Sequence, residues 1–219
     1  MLLAQIYAIK LYICDVNNAM KISQAIFSGS SPTIKERPAI KLPEFAFIGR
    51  SNVGKSSLIN MLCRMGKLAH TSAKPGKTRL INHFLINESW YLVDLPGYGY
   101  AKISKKQKEV LSEMIKNYIN GSAELANLFV LLDSRHDIQK IDLNFINTLG
   151  EAGVPFAIIY TKCDKVGVNT LQKQIELNNK ALLEYWEELP PTFTTSSETG
   201  MGRDEVLDYI DKLFKNIKP

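Results

Sequence analysis

Apolar residues fall into short runs separated by longer mixed stretches along most of the 219-residue chain. "EFAFIG" (Glu44–Gly49), "LFVLLD" (Leu128–Asp133) and "PFAIIYT" (Pro155–Thr161) are continuous apolar runs rich in β-branched and aromatic residues. Strands buried on both faces look like this. "RLINHFLI" (79–86) and "WYLVDL" (Trp90–Leu95) add two strands, joined across "NES" as a hairpin. Helices are expected over Lys55–Arg64, Lys105–Asn120, Ile141–Gly150, Leu171–Leu189 and Asp204–Ile217. Ser104, followed three residues later by Gln107, makes a capping box for the second of them. Residues 28–43, "SGSSPTIKERPAIKLP", read as a polar lead-in. Strand and helix alternate, so the predicted class is α/β: a mostly parallel, doubly wound sheet with a hairpin at one edge.

Composition narrows this only slightly. With 45% hydrophobic and 22% charged residues, the chain is ordinary for a globular protein with one sizeable core. Twenty-seven Lys and Arg against 22 Asp and Glu leave a formal charge of +5, which fits a phosphate-rich partner. Cys14, Cys63 and Cys163 are odd in number and lack metal-ligand spacing, so they read as reduced thiols in a cytoplasmic protein. No apolar run approaches the roughly 18 residues of a membrane span. "MLLAQIYAIKLYIC" has no early basic residue and is interrupted by Lys10, so it does not read as a secretory signal.

The chemistry sits at strand ends. "GRSNVGKSS" follows the strand Glu44–Ile48 and opens a helix, with Gly49, Gly54, Lys55 and Ser56 in the register G-x-x-x-x-G-K-[ST]. Such glycines let backbone N–H groups wrap phosphate oxygens, and the helix N-terminus adds its positive dipole end. Lys55 is expected to neutralise the β- and γ-phosphates, and the Ser56 hydroxyl to take a place on Mg²⁺. "DLPG" then ends a neighbouring strand: Asp94 can hold Mg²⁺ through water, and Gly97 can bring its N–H against the γ-phosphate. In "TKCDK", Asp164 can accept two hydrogen bonds from guanine N1–H and its exocyclic amine, which adenine cannot supply. The Lys162 stem can lie along the purine face, and a backbone N–H near Ser197 in "TTSSE" can meet guanine O6. Between the first two motifs, "HTSAKPGKTRLIN" reads as a mobile loop. There Thr78, with Thr71 as the competing choice, is positioned to complete the Mg²⁺ shell. Four motifs in this order describe a guanine-nucleotide-binding domain.

"LPEFAFIGRSNVGKSSLIN", "AKPGKTRLINHF", "LVDLPGYGYA", "LLDSRHDIQKID", "YTKCDK" and "SSETGMG" together resemble the bacterial EngB (YihA/YsxC) family of ribosome-biogenesis GTP-binding proteins, of the TrmE-Era-EngA-EngB-Septin class. The likeness runs from about residue 20 to the C-terminus. It implies a P-loop NTPase fold of small-GTPase type, with a six-stranded, mostly parallel sheet flanked by helices and one antiparallel edge strand. It implies Mg²⁺-dependent GTP and GDP binding with slow hydrolysis and a role in large ribosomal subunit assembly, with a link to cell division and septation. Carried over by position, the nucleotide would be lined by Gly49, Arg50, Ser51, Asn52, Val53, Gly54, Lys55 and Ser56. Gly76, Lys77, Thr78, Arg79 and Leu80 would join them from the loop. Asp94, Leu95, Pro96, Gly97, Thr161, Lys162, Cys163, Asp164, Thr195, Ser196 and Ser197 would complete the lining. Lys55, Thr78 and Gly97 would serve hydrolysis, and Ser56 and Thr78 would hold the metal. The partner implied is the large subunit or its precursor, met by a monomer without a membrane. Residues 1–19 match nothing in the family pattern. They are expected to be a disordered or non-native extension preceding one domain over 20–219, with Met20 as the initiator.

Several signals remain beside these motifs. Tyr98 stands where Ras-like enzymes carry a water-orienting glutamine, so very slow intrinsic turnover is expected. Asn52 resembles a phosphate-loop residue that binds K⁺ in related GTPases. Lys102, Lys105, Lys106 and Lys108, with Lys74, Lys77 and Arg79, read either as a solvated face or as an rRNA contact. "DSRHDIQKID" offers Asp133, Arg135 and His136 without an assignable mechanism, and His70 and His83 read as structural or solvent-facing.

Overall fold

A computed structural model of the chain describes residues 20–69, 80–99 and 104–217. Residues 1–19, Thr71, Lys74, Gly76, Lys77, Thr78, Arg79 and Lys102, with His70 and Cys14, lie outside the described residues.

The strands are β1 (Ala25–Ser31), β2 (Glu44–Gly49), β3 (Ile81–Ile86), β4 (Trp90–Asp94), β5 (Leu125–Asp133), β6 (Phe156–Thr161) and β7 (Thr192–Thr194). The helices are α1 (Lys55–Cys63), α2 (Lys105–Gly121), α3 (Lys140–Glu151), α4 (Val168–Leu183) and α5 (Arg203–Ile217). The sheet order is β1-β3-β4-β2-β5-β6-β7. Strands β4, β2, β5, β6 and β7 pair in parallel, whereas β3 is antiparallel to both β1 and β4. The α/β expectation with its antiparallel edge therefore holds, with seven strands rather than six. Strand β1 overlaps the supposed lead-in from residue 28. Its sequence, AIFSGSS, lacks a strand's apolar signature because most of it is exposed at the sheet edge, and its register shifts at Gly29.

The sheet divides the core into two layers, as helices on both faces of a mostly parallel sheet require. On one face Phe45, Phe47, Phe129, Leu131 and Ile159 meet Leu58, Ile59 and Leu62 of α1 and Val206, Leu207 and Ile210 of α5. On the other, Ala46, Ile48, Val93, Val130, Ile158 and Tyr160 meet Ile115 of α2, Ile146 and Leu149 of α3 and Leu182 of α4. Every β2 residue is buried, which explains the unbroken apolar run EFAFIG. Each such side chain contributes roughly 1.5–3 kcal/mol of burial. The Phe47 and Phe129 rings stack with centroids 4.8 Å apart and tie the two central strands together.

Local signals set the helix starts. Ser104 Oγ accepts from Gln107 N at 3.3 Å, and the Gln107 side chain accepts from Ser104 N at 3.2 Å, completing the expected box. The hairpin turns on Asn87 and Glu88, both in the left-handed region at φ 46° and 54°. The largest difference in helix bounds is at α4, which runs Val168–Leu183 rather than Leu171–Leu189. Beyond it Trp186 turns inward, packs edge-to-face on Phe156 and donates from Nε1 to Asn147 Oδ1 at 2.8 Å. Burying the indole against α3 overrides another turn of helix. His83, in turn, is buried in the sheet rather than solvent-facing.

Candidate nucleotide-binding site

Gly49, Asp94, Asp133 and Thr161 are the last residues of β2, β4, β5 and β6, so the C-terminal ends of four adjacent parallel strands share one edge of the sheet. Ligands of doubly wound folds bind at such an edge. The loop after β2 is shaped by its glycines. A Cβ on Gly49 would stand 2.9 Å from both Leu131 O and Val53 Cγ1, so only glycine fits against β5 there. Gly54 sits at φ 107°, a left-handed conformation open to glycine, and as the N-cap of α1 it offers no side-chain hydrogen bond. The first-turn N–H groups of α1 are thus left without a side-chain cap, which makes the helix start an anion cradle.

Lys55 and Asp94 meet here. Both are buried, and Lys55 Nζ donates directly to Asp94 Oδ1. Burial pushes the Lys55 ammonium down to about 7, and the carboxylate against it pulls the other way. Asn82 Nδ2 approaches the second Asp94 oxygen at 3.5 Å. Ser56 follows Lys55 in the first turn of α1, half-buried. A carboxylate and a hydroxyl among the residues of a phosphate cradle are donors that fit Mg²⁺, which keeps several waters and takes further oxygens from phosphate. The DxxG loop is pinned to the phosphate loop by its backbone: Leu95 N donates to Phe47 O at 3.0 Å and Tyr98 N to Gly49 O at 3.2 Å. Leu95, Pro96 and Gly97 are all buried beneath the loop. Leu80, exposed, precedes β3.

The base end is built from the β6 loop and the loop after β7. Thr161, where most GTPases carry Asn, donates from Oγ1 to Val53 O at 2.6 Å and lies 3.2 Å from Leu132 O. Lys162 Nζ donates to Asn52 O at 2.6 Å. The base motif is therefore stitched to the phosphate loop by two neighbouring side chains. Asp164 is exposed, with Ser196 Oγ donating to Oδ1 at 2.7 Å and Lys165 Nζ to Oδ2 at 2.8 Å. Hydrogen bonds from Lys165 and Ser196 hold its carboxyl below the usual range. Ser196 is fully buried and also accepts from Glu198 N and Thr199 N, so the loop delivers its hydroxyl at a set position. Thr195 N and Oγ1 both donate to Tyr160 O, and Cys163 N donates to Thr195 O at 3.1 Å. Cys163 itself is a buried free thiol whose Sγ donates to Tyr160 O at 3.5 Å. Gly54, Thr161, Lys162, Asp164 and Ser197 line one open cleft of about 780 Å³.

Two groupings were not visible in the motifs. Arg50 Nε lies 3.2 Å from Asp142 Oδ2, and Tyr98 Oη donates to Asp142 Oδ1 at 2.9 Å. The Tyr98 ring stacks on Phe145 at 4.7 Å, so the residue after the DxxG is docked on α3. Burial and the adjacent Asp142 push the Tyr98 phenol well up. The second grouping joins Asp133 and Arg135, left without a role by their sequence, to Lys162: Arg135 Nε and Nη2 clasp the carboxylate at 2.9 and 2.8 Å. The only sequence hint of the first was Gln139 and Asp142 at capping spacing across the start of α3.

An anion cradle at one strand end, with the Asp164 carboxylate after a strand two places away, is the architecture of a P-loop guanine-nucleotide-binding domain. Residues 44–162 match the family model described as 50S ribosome-binding GTPase. The chain is 55% identical over 198 residues to a probable GTP-binding protein EngB of Porphyromonas gingivalis, covering 90% of this chain and 98% of that one. A probable GTP-binding protein EngB of Bacteroides fragilis is 56% identical over 198 residues, at the same coverage. Among solved structures, a probable GTP-binding protein engB superposes with a TM-score of 0.58 at 24% identity, over 79% of this chain and 99% of that one. A point variant of Aquifex aeolicus Era bound to GDP·AlF4⁻ gives 0.63 at 25%, over 80% and 57%. The chain belongs to the EngB family of GTP-binding proteins.

Proposed function

We propose that the protein is a Mg²⁺-dependent GTP/GDP switch with slow hydrolysis that acts in assembly of the large ribosomal subunit. The observation that carries the nucleotide reading is Asp164, held ionised and exposed by Ser196 and Lys165 at the mouth of the cleft. Guanine offers that carboxylate two donors, N1–H and its exocyclic amine, and adenine offers it none on that edge. Gly49 to Ser56 would cradle the phosphates, and Lys55 would exchange Asp94 for the β- and γ-oxygens. Ser56, Asp94 through water, and Thr78 would hold Mg²⁺, which neutralises charge on the phosphates. Gly97 would meet the γ-phosphate by its N–H, so that loss of that group is felt in the loop that carries Tyr98. The ribosomal role rests on family membership and on the exposed Lys105, Lys106 and Lys108 that follow this loop. Normal cell division and septation would depend on that assembly step, in the cytoplasm and with the protein as a monomer.

A second reading is favoured by one feature. The side chain after the DxxG is a tyrosine docked on Asp142 and Phe145, not a glutamine that orients water. The protein would then be a nucleotide-stabilised ribosome-binding module with negligible turnover. Single-turnover hydrolysis with and without subunit precursors separates the two: acceleration by the particle supports the switch, and none supports the module. Pull-downs in GTP and in GDP read the partner directly, and nucleotide-dependent recovery of large-subunit particles is the expected result. Asn52, exposed and at φ 64°, is the residue proposed to bring K⁺ to the phosphates. Equal hydrolysis in KCl and NaCl would remove K⁺ from the scheme.

A further inference from the structure

We propose that Asp133, backed by Arg135, is a positioning residue for guanine recognition that acts through Lys162; this rests on the guanine-nucleotide reading above. Asp133 ends β5 opposite Thr161 of β6, so strand register sets its carboxylate beside the base motif. That carboxylate is buried and takes four hydrogen bonds. Arg135 N and Nε donate to Oδ1 at 3.1 and 2.9 Å, while Arg135 Nη2 and Lys162 Nζ each donate to Oδ2 at 2.8 Å. Burial alone would raise the Asp133 carboxyl, but Arg135 and Lys162 hold it well below the usual range.

Lys162 is the beneficiary. Its ammonium spans two fixed acceptors, the Asp133 carboxylate and Asn52 O of the phosphate loop. Its Cε lies 3.6 Å from where a Cβ on Gly54 would stand, so the stem runs along the floor of the cleft on which a purine would lie. An unanchored lysine stem has four rotatable bonds and would have to be ordered by the ligand at the expense of affinity. Asn52 O is a neutral acceptor on an exposed turn, whereas Asp133 adds a charge-assisted bond fixed to the sheet. The carboxylate thus sets the lysine before the base arrives. Asp133 touches no ligand itself.

Calorimetric titration of the full chain with GDP and with ADP, at constant Mg²⁺, tests this with Asp133→Asn, Lys162→Met and the double variant. Asp133→Asn should weaken GDP about tenfold, the scale of one lost charged hydrogen bond. Lys162→Met should weaken it at least as much, and the double variant no more than Lys162→Met alone. A purely structural role for Asp133 predicts instead that the two losses multiply, and that result overturns the proposal, as does unchanged GDP affinity in Asp133→Asn. If Asp133→Asn does not fold, Arg135→Leu serves, because the guanidinium is largely outside the core. It should cost about threefold, and only when Lys162 is present, while unchanged affinity overturns the proposal. A wild-type chain that takes ADP as tightly as GDP fails the guanine-nucleotide reading itself. Wild-type preference for GDP with unaffected variants fails Asp133 alone.

Discussion

On the proposed reading Asp164 would bear the choice of base almost alone, its carboxylate oriented by Ser196 and Lys165. Ser196 and Lys165 each occupy one oxygen from the side, and the residue remains exposed. An amide at the same place would still accept from N1–H but would present a donor where guanine presents its amine. Xanthine, with a carbonyl there, suits the amide instead. Asp164→Asn should therefore lower GDP affinity roughly a hundredfold and raise that for xanthosine diphosphate, read in competitive titration. A second acid shows the opposite use of a carboxylate. Glu44, at the start of β2, is buried and accepts from Tyr118 Oη at 2.6 Å and Ser122 Oγ at 2.7 Å, with His83 Nε2 3.6 Å away. Burial acts to raise its carboxyl, but His83, Tyr118 and Ser122 outweigh it and the net direction is down. A carboxyl lower in the fold than in the open chain stabilises above the open-chain value of about 4.3, and that stability fades as pH falls through the folded value. Glu44→Gln should cost about 1–3 kcal/mol at pH 7. The gap to wild type should shrink below about pH 4, as measured by denaturant unfolding at pH 7 and pH 3.

Elements join where small residues let large ones in, and α3 depends on such a place. A Cβ on Gly150 would fall 2.1 Å from Trp186 Cη2, with two more ring atoms within about 3 Å, so the indole lies directly on the glycine. Gly150→Ala gains helix propensity but must push out a ring that also packs on Phe156 and bonds Asn147. The overpacking cost of about 1–3 kcal/mol exceeds the gain of about 1 kcal/mol, so thermal unfolding should show net destabilisation. The same contact explains why the end of α4 was illegible: only the tertiary partner tells Trp186 to leave the helix. Strand β1 was hidden for a related reason, since an edge strand with one solvated face need not be apolar. What could be read were elements whose cause is local. The Ser104 box, the buried strand EFAFIG and the phosphate loop each depend on residues within a few positions of one another. The site's motifs belong to that class, because a backbone cradle needs its glycines at a set spacing. Asp133 and Asp142 do not. They reach Lys162 and Tyr98 across 29 and 44 positions, and only strand order for the first and the seating of α3 for the second bring them together.

At the scale of the whole molecule, charge and topology point the same way. The chain carries a formal +5, and α2, the next helix in sequence after the DxxG motif, presents Lys105, Lys106 and Lys108 to solvent at its start. The N-terminal end of a helix is the unfavourable place for cations, since they oppose its dipole. Folding gains nothing from three lysines there, whereas a polyanion docking on that end would gain from their charges. On the proposed function the DxxG loop would sense the γ-phosphate, and a patch that follows it in sequence would couple the nucleotide to an RNA contact. Phosphate contacts release counterions, so binding should fall steeply with salt, by roughly 0.7–0.9 decades per tenfold rise in salt for each phosphate neutralised. Sedimentation of the GTP-bound protein with large-subunit particles, from low to high KCl, reads that slope. Changing Lys105, Lys106 and Lys108 together to Gln should flatten the slope by about two to three contacts and leave GDP affinity as in wild type. A slope unchanged by the triple variant would return these lysines to the role of a solvated face and move the docking surface elsewhere on the domain.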